Sequence, residues 1–127
     1  MKKTISLLLA LFVLCSFLYG CEKENVTSIS FGKYYLQNCT EQVMTPYVFL
    51  YDRNEFTFVH SAISSYIPHG TYDVKDSLLI LNGDDGNTFQ FYIDGTNLIY
   101  IADKSSHIIE YDNFPATVDG SIFTLEE

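Results

Sequence analysis

The stretch GTYDVKDSLLILNGDDGNTFQFYIDGTNLIYIAD, Gly70 to Asp103, decides the fold. Within NTFQFYID, Phe89 and Phe91 fall on one side of the chain, Gln90 and Tyr92 on the other, which is the period of a strand rather than a helix. GTYDV and SLLIL pair across KD, NTFQFYID follows the turn NGDDG, and NLIYIAD follows DGT. Gly supplies positive φ in such turns and Asp caps the backbone. Strands this short, joined by turns this tight, pair consecutively and antiparallel.

The same pattern extends both ways. Upstream, GKYYLQNC reads as a first strand, and YVFLYD and EFTFVHS as two more joined at DRNE. In EFTFVHS, Phe56, Phe58 and His60 share one face and Thr57, Val59 and Ser61 the other. Downstream, SIFTLE follows TVDG as a last short strand. No stretch beyond the N-terminal segment has a 3.6-residue period, so any helix is a single turn, expected within SAISSYIPHG. The expectation is an all-β antiparallel meander of about eight strands. A flat meander would expose two long edges, so it closes into a small barrel or folds into two packed sheets. The ten Tyr and ten Phe of the chain then serve chiefly as wall and core.

The chain opens with Met1, Lys2 and Lys3, then the apolar run TISLLLALFVLCSFLYG. Its core, Ile5 to Leu14, has the length of a signal-peptide h-region and falls short of the roughly 20 residues that span a bilayer. The run breaks at Gly20-Cys21 into the charged EKE. LYGC, Leu18 to Cys21, resembles the lipobox of bacterial lipoproteins, with Tyr19 an uncommon occupant of its position. The resemblance implies that Cys21 carries a diacylglyceryl group and begins the mature chain. Cys15, preceded by Leu14, fits poorly. A retained signal anchor is the alternative. The expected organisation is a signal helix over 1–20, a tether over 21–31 and a β domain over 32–127. The expected location is the extracytoplasmic face of the cell membrane, held by acyl chains on Cys21.

Without Lys2 and Lys3, the five remaining bases of the chain stand against all sixteen acids, a net charge of −11. There is no basic patch. Such a chain is repelled by nucleic acid and by anionic headgroups. The partners to expect are a membrane-proximal protein or a small molecule. Cys39 is the one cysteine left after Cys15 and Cys21 are assigned, so no intrachain disulfide forms, and it is expected as a half-buried or buried thiol at a strand end.

Chemical motifs are weak throughout. NGDDGN, Asn82 to Asn87, offers clustered oxygens, but position twelve of an EF-hand starting at Asn82 is Ile93, and the residues suit a hairpin turn. His60, His69 and His107 lack the close spacing of a zinc motif and are expected as solvated loop or strand-end residues, His69 in the turn IPHG. Ser64 or Ser65 with His107 and Asp103 would make a triad, yet no Gly-x-Ser-x-Gly elbow is present. No cofactor, metal or catalysis is expected. The longest internal loop, SAISSYIPHG, carries Ile63, Tyr66, Ile67 and Pro68, apolar groups that either plug the end of a barrel or form a lip for a ligand or partner.

The order G-K-Y-Y, E-F-T-F, G-T-Y-D-V, L-L-I-L, D-D-G, F-Q-F resembles the lipocalin-like architecture of small bacterial lipoproteins. More narrowly, SAISSYIPHGTYDV, NGDDGNTFQF and ADKSS resemble segments of uncharacterised Firmicutes lipoproteins and of extracytoplasmic parts of penicillin-sensor-type membrane regulators. The likeness spans Gly32 to about Ser106 and brings no catalytic residues, because none are defined for those segments; the metallopeptidase motif His-Glu-x-x-His is absent, so peptidase activity is not implied. It implies a lipid-anchored, non-catalytic binding or sensory module. The alternative is an envelope accessory or inhibitor that acts by protein–protein contact. A cavity lined by Tyr and Phe would favour the first, a filled interior the second.

Overall fold

Eight strands form in chain order: β1 Gly32–Leu36, β2 Tyr47–Leu50, β3 Glu55–Val59, β4 His69–Lys75, β5 Leu78–Gly83, β6 Thr88–Asp94, β7 Asn97–Ile101 and β8 Ile122–Leu125. They come from a computed structural model that describes residues 25–39, 44–111 and 113–127. The signal segment 1–20 and Cys21 lie outside the described residues. Each strand pairs antiparallel with the next, and β8 returns to β1 through Tyr34↔Leu125, Tyr35↔Thr124 and Leu36↔Phe123. The meander is therefore a closed barrel rather than a two-sheet sandwich. Closure removes both edges, which a flat sheet would leave open.

Alternation fills the barrel. Phe89, Phe91 and Ile93 of β6 point in and are buried, while Tyr92 is half exposed at 50%. Tyr34, Val48, Leu50, Phe56, Phe58, Tyr72, Leu79, Leu81, Leu98, Tyr100 and Phe123 complete the interior. Phe56 and Phe58 share that face as expected. His60 follows them in sequence, but the strand ends at Val59, so alternation lapses there, and Val59, His60 and Ser61 are all buried.

Two turns differ from expectation. The β4–β5 hairpin turns at Asp76-Ser77, not at Lys75-Asp76, because Lys75 pairs with Leu78. Asp76 and Ser77 take φ of 52° and 63°, the left-handed geometry that matches the twist of a two-residue hairpin. Single helical turns fall at Asp52–Asn54 and Ala102–Lys104, while SAISSYIPHG holds only a turn and extended chain. His69 is the first residue of β4 rather than part of a turn. Behind it, Gly70 lets β4 cross close to β5: a Cβ there would lie 2.2 Å from the Asn82 carbonyl oxygen.

Because the strands alternate in direction, their connections alternate between two ends of the barrel. One end carries the incoming segment 25–31, the turns 51–54, 76–77 and 95–96, and the C-terminus. Residues 25–31, which the sequence suggests as tether, are partly built into this end. Val26 and Ile29 pack against the core. The Val26 amide donates to the Ser77 hydroxyl at 2.9 Å, and the Ser77 amide donates to the Val26 carbonyl at 3.0 Å. The other end carries the longer connections: residues 60–68, 84–87 and 102–121, together with that between β1 and β2.

Candidate functional site

Among the described residues the interior is packed with side chains around Phe58. Phe58 meets Phe89, Phe91, Tyr100 and Phe123 with ring centroids 5.3–6.2 Å apart. These are the separations of rings in direct contact. All five side chains are at most 3% exposed. Small eight-stranded barrels either fill with side chains or hold one small ligand, and this one is filled.

The long-loop end is the most distinctive surface. Of the four residues singled out in SAISSYIPHG, Ile63, Tyr66 and Ile67 are exposed at 38–46%. Pro68 is buried, and its carbonyl accepts the Phe58 amide at 2.9 Å, extending the β3–β4 ladder; it is framework, not contact surface. The loop is fastened from two sides. Tyr66 donates its hydroxyl to Asp85 Oδ2 and accepts from Asn87 Nδ2 at 2.8 Å, which ties it to the β5–β6 turn. Burial pushes the Tyr66 phenol above its ordinary pKa, and its bond to Asp85 adds to this. The same bond, helped by the Asn87 amide, holds the Asp85 carboxyl below its ordinary range. From the other side, the amide and hydroxyl of Thr117 donate to the His60 carbonyl at 3.1 and 3.2 Å. The β7–β8 connection that carries Thr117 also exposes Ile109, Phe114 and Val118. Both connections thus put apolar side chains on this end, and only the first was legible in the sequence as a contact surface.

NGDDGN is a hairpin turn. Asp85 Oδ1 accepts the Asn87 amide at 3.0 Å, and the Gly86 amide donates to the Gly83 carbonyl at 3.0 Å. These bonds engage Asp85 Oδ1 and the Gly83 carbonyl in holding the turn. Among the described residues, no three His, Cys, Asp or Glu side chains converge as a metal site. His69 Nε2 lies 3.6 Å from Asp84 Oδ2 with both side chains 70% exposed, a surface pair of little weight. His107 is exposed, whereas His60, directly after the end of β3, is a strand-end residue and 2% exposed. Ser64 is buried, and its hydroxyl accepts the Tyr66 amide at 3.1 Å, the role of a turn residue rather than a nucleophile. Cys39 lies beyond the turn that follows β1 and is half-buried; burial raises its thiol pKa and a hydrogen bond with Thr45 partly offsets this.

An aromatic patch on the outer wall of β1 and β2 was not singled out in the sequence, where its rings read like core. Lys33 Nζ stands 4.8 Å from the Tyr47 ring centroid, 5.7 Å from Phe49 and 5.9 Å from Tyr35. Phe49 packs in turn on Tyr51 at 4.1 Å. The ammonium and its stem cover the rings, so the patch packs mainly on itself. Beside it, a groove of about 440 Å³ is lined by Tyr35, Leu36, Gln37, Cys39, Thr45 and Thr124 among others. Another of about 460 Å³ runs over Tyr51, Glu55, Thr57, His69, Thr71 and Asp84.

Among the described residues no helix is long and apolar enough to cross a membrane. No protein-family model matches the chain, and no curated protein or solved structure is significantly similar to it.

Proposed function

We propose that this chain is an exported, non-catalytic β-barrel module, anchored by lipid on Cys21 at the extracytoplasmic face, that acts by surface contact with a membrane-proximal protein. Its contact surface is the long-loop end, with Ile63, Tyr66 and Ile67 from one connection and Ile109, Phe114 and Val118 from another. The observation that carries this reading is the filled interior around Phe58. A lumenal small-molecule carrier needs a cavity, so the contact reading stands ahead of the ligand-holding one. Exposed apolar groups clustered at one end of a strongly acidic molecule suit a protein interface.

The test is site-specific photo-crosslinking in intact cells. A photoactivatable residue at Ile67 or Phe114 is expected to capture one partner, and the same residue at Tyr92, on the wall, is expected to capture none. Uptake of an apolar probe into the barrel of the folded wild-type protein, displaced by enlarging Phe58→Trp, would instead establish the lumenal reading. Anchorage has its own readout: Cys21→Ser should accumulate precursor and lose labelling by a fatty-acid analogue. Labelling that survives would remove the lipoprotein reading.

A further inference from the structure

Beneath the long-loop end, two adjacent buried side chains each carry a polar atom without a hydrogen-bond partner. His60 is 2% exposed and its Nδ1 has no hydrogen bond; Ser61 is fully buried and its hydroxyl has none. Such orphans are rare in folded proteins, because a buried polar atom without a partner keeps its desolvation penalty uncompensated. The imidazole contacts the Phe58 ring, at 6.1 Å, and the Tyr66 ring, at 6.2 Å. Tyr66 is the residue that latches the loop to Asp85 and Asn87. The buried histidine thus sits directly under the latch.

We propose that His60 is a proton-sensitive trigger for the 60–68 loop: protonation in mildly acidic surroundings expels the imidazolium from under Tyr66, breaks the latch to the β5–β6 turn and opens the long-loop end. The charges around the ring support this direction. β3 faces it with Phe58 and the β7–β8 connection with Thr117, neither of which titrates in this range. Tyr66 is the titratable group on its own loop, and Asp85 lies behind the Tyr66 hydroxyl, already occupied by it. Beyond Thr117, Asp119 accepts the Ala102 amide at 2.9 Å, and Tyr100, His107 and Glu110 line the same groove. Among the described residues no carboxylate is bonded to the imidazole, so an added charge gains no paired counter-charge in the closed state. Burial accordingly lowers the pKa of His60 from 6.5. For a depressed base, the closed state is fully stable above the unfolded value and loses stability as pH falls from there through the folded value. The opening follows from the chain's own residues and does not require that Cys21 carry lipid.

Amide hydrogen exchange of the full chain across pH 7 to 4, corrected for intrinsic exchange, tests the trigger. Protection of residues 60–68 and of Asn87 is expected to fall as pH drops below 6.5 while the β5–β6 core amides stay protected. His60→Phe, which keeps an apolar ring in the site, is expected to abolish the local opening. Asp85→Asn, which weakens the latch at every pH, is expected to shift the opening to higher pH. Three outcomes overturn the proposal: unchanged loop protection through this range, an equal opening in His60→Phe, or an opening in Asp85→Asn that no longer depends on pH. Should the phenylalanine variant fail to fold, His60→Gln gives the same readout, since it also lacks a titrating side chain.

Discussion

Phe58 and Phe91 meet edge to face inside the barrel, with ring centroids 5.7 Å apart and planes at 79°. Phe123 contacts both, at 6.2 and 5.7 Å, so three strands distant in sequence share one aromatic cluster. Removing either phenylalanine leaves a void that rigid strands cannot close. Phe58→Ala and Phe91→Ala are each expected to cost roughly 3–5 kcal/mol. Gln90→Ala, on the outer side of β6, should cost less than about 1 kcal/mol. Urea denaturation midpoints at constant slope provide the comparison. Equal losses at positions 90 and 91 would contradict the inward–outward assignment.

Two glycines separate crowding from conformation. At Gly70 a Cβ would lie 2.2 Å from the Asn82 carbonyl, whereas at Gly95 a Cβ meets nothing within 4 Å, though φ is +59°. Gly95→Ala therefore carries only the left-handed penalty of roughly 1–2 kcal/mol. Gly70→Ala must displace the β4–β5 pairing and is expected to cost roughly 3 kcal/mol or more. Thermal unfolding of both variants checks the order, and the reverse order would mean that β4 and β5 are not so closely apposed.

The latch can be cut without touching the core. Tyr66→Phe removes the bonds to Asp85 and Asn87 but keeps the ring over His60. Its expected cost is about 1 kcal/mol globally, the usual net worth of a hydrogen bond. Its larger effect should be local, with faster proteolysis between Ser61 and Pro68 at neutral pH. A variant as resistant as wild type would show that the Thr117 attachment alone holds the loop.

The strands were legible because their alternation is strong: Phe89 and Phe91 against Gln90 and Tyr92 admits one reading. Barrel and sandwich share that alternation, and what separates them is the pairing of Tyr34–Leu36 with Phe123–Leu125, almost the length of the domain away. No local pattern encodes it. The loop SAISSYIPHG stood out by length, and three of its four apolar residues are indeed exposed. The burial of Pro68 had no local signal, because a proline in a loop can still accept a ladder bond through its carbonyl. The burial of His60 had none either: it sits at the strand end, and its carbonyl is held by Thr117, 57 residues away. The outer patch around Lys33 escaped notice since Tyr35, Tyr47 and Phe49 resemble core residues until the barrel assigns them an outer face.

The segment before β1 offers the last prediction. Read as tether, residues 21–31 would let the domain swing freely, and removing them would leave the barrel's stability unchanged. The structure ties Val26 to Ser77 by two hydrogen bonds and packs Val26 and Ile29 against the core. Full burial of a Val or Ile is worth about 1.5–3 kcal/mol, so two half-buried side chains contribute roughly 2 kcal/mol together. A chain beginning at Asn25 is therefore expected to match the stability of one beginning at Cys21. One beginning at Gly32 should be less stable by roughly 2–3 kcal/mol, counting the lost hydrogen bonds. Ser77→Ala in the longer chain should reproduce part of this loss and speed exchange of the Val26 amide, which donates to the Ser77 hydroxyl. The pinning also shortens any reach from Cys21. The five residues from Cys21 to Val26 extend at most about 18 Å, roughly half the span of a free tether to Gly32. If the Gly32 chain unfolds at the same urea concentration as the Asn25 chain, the segment is a tether after all and the longer reach is restored.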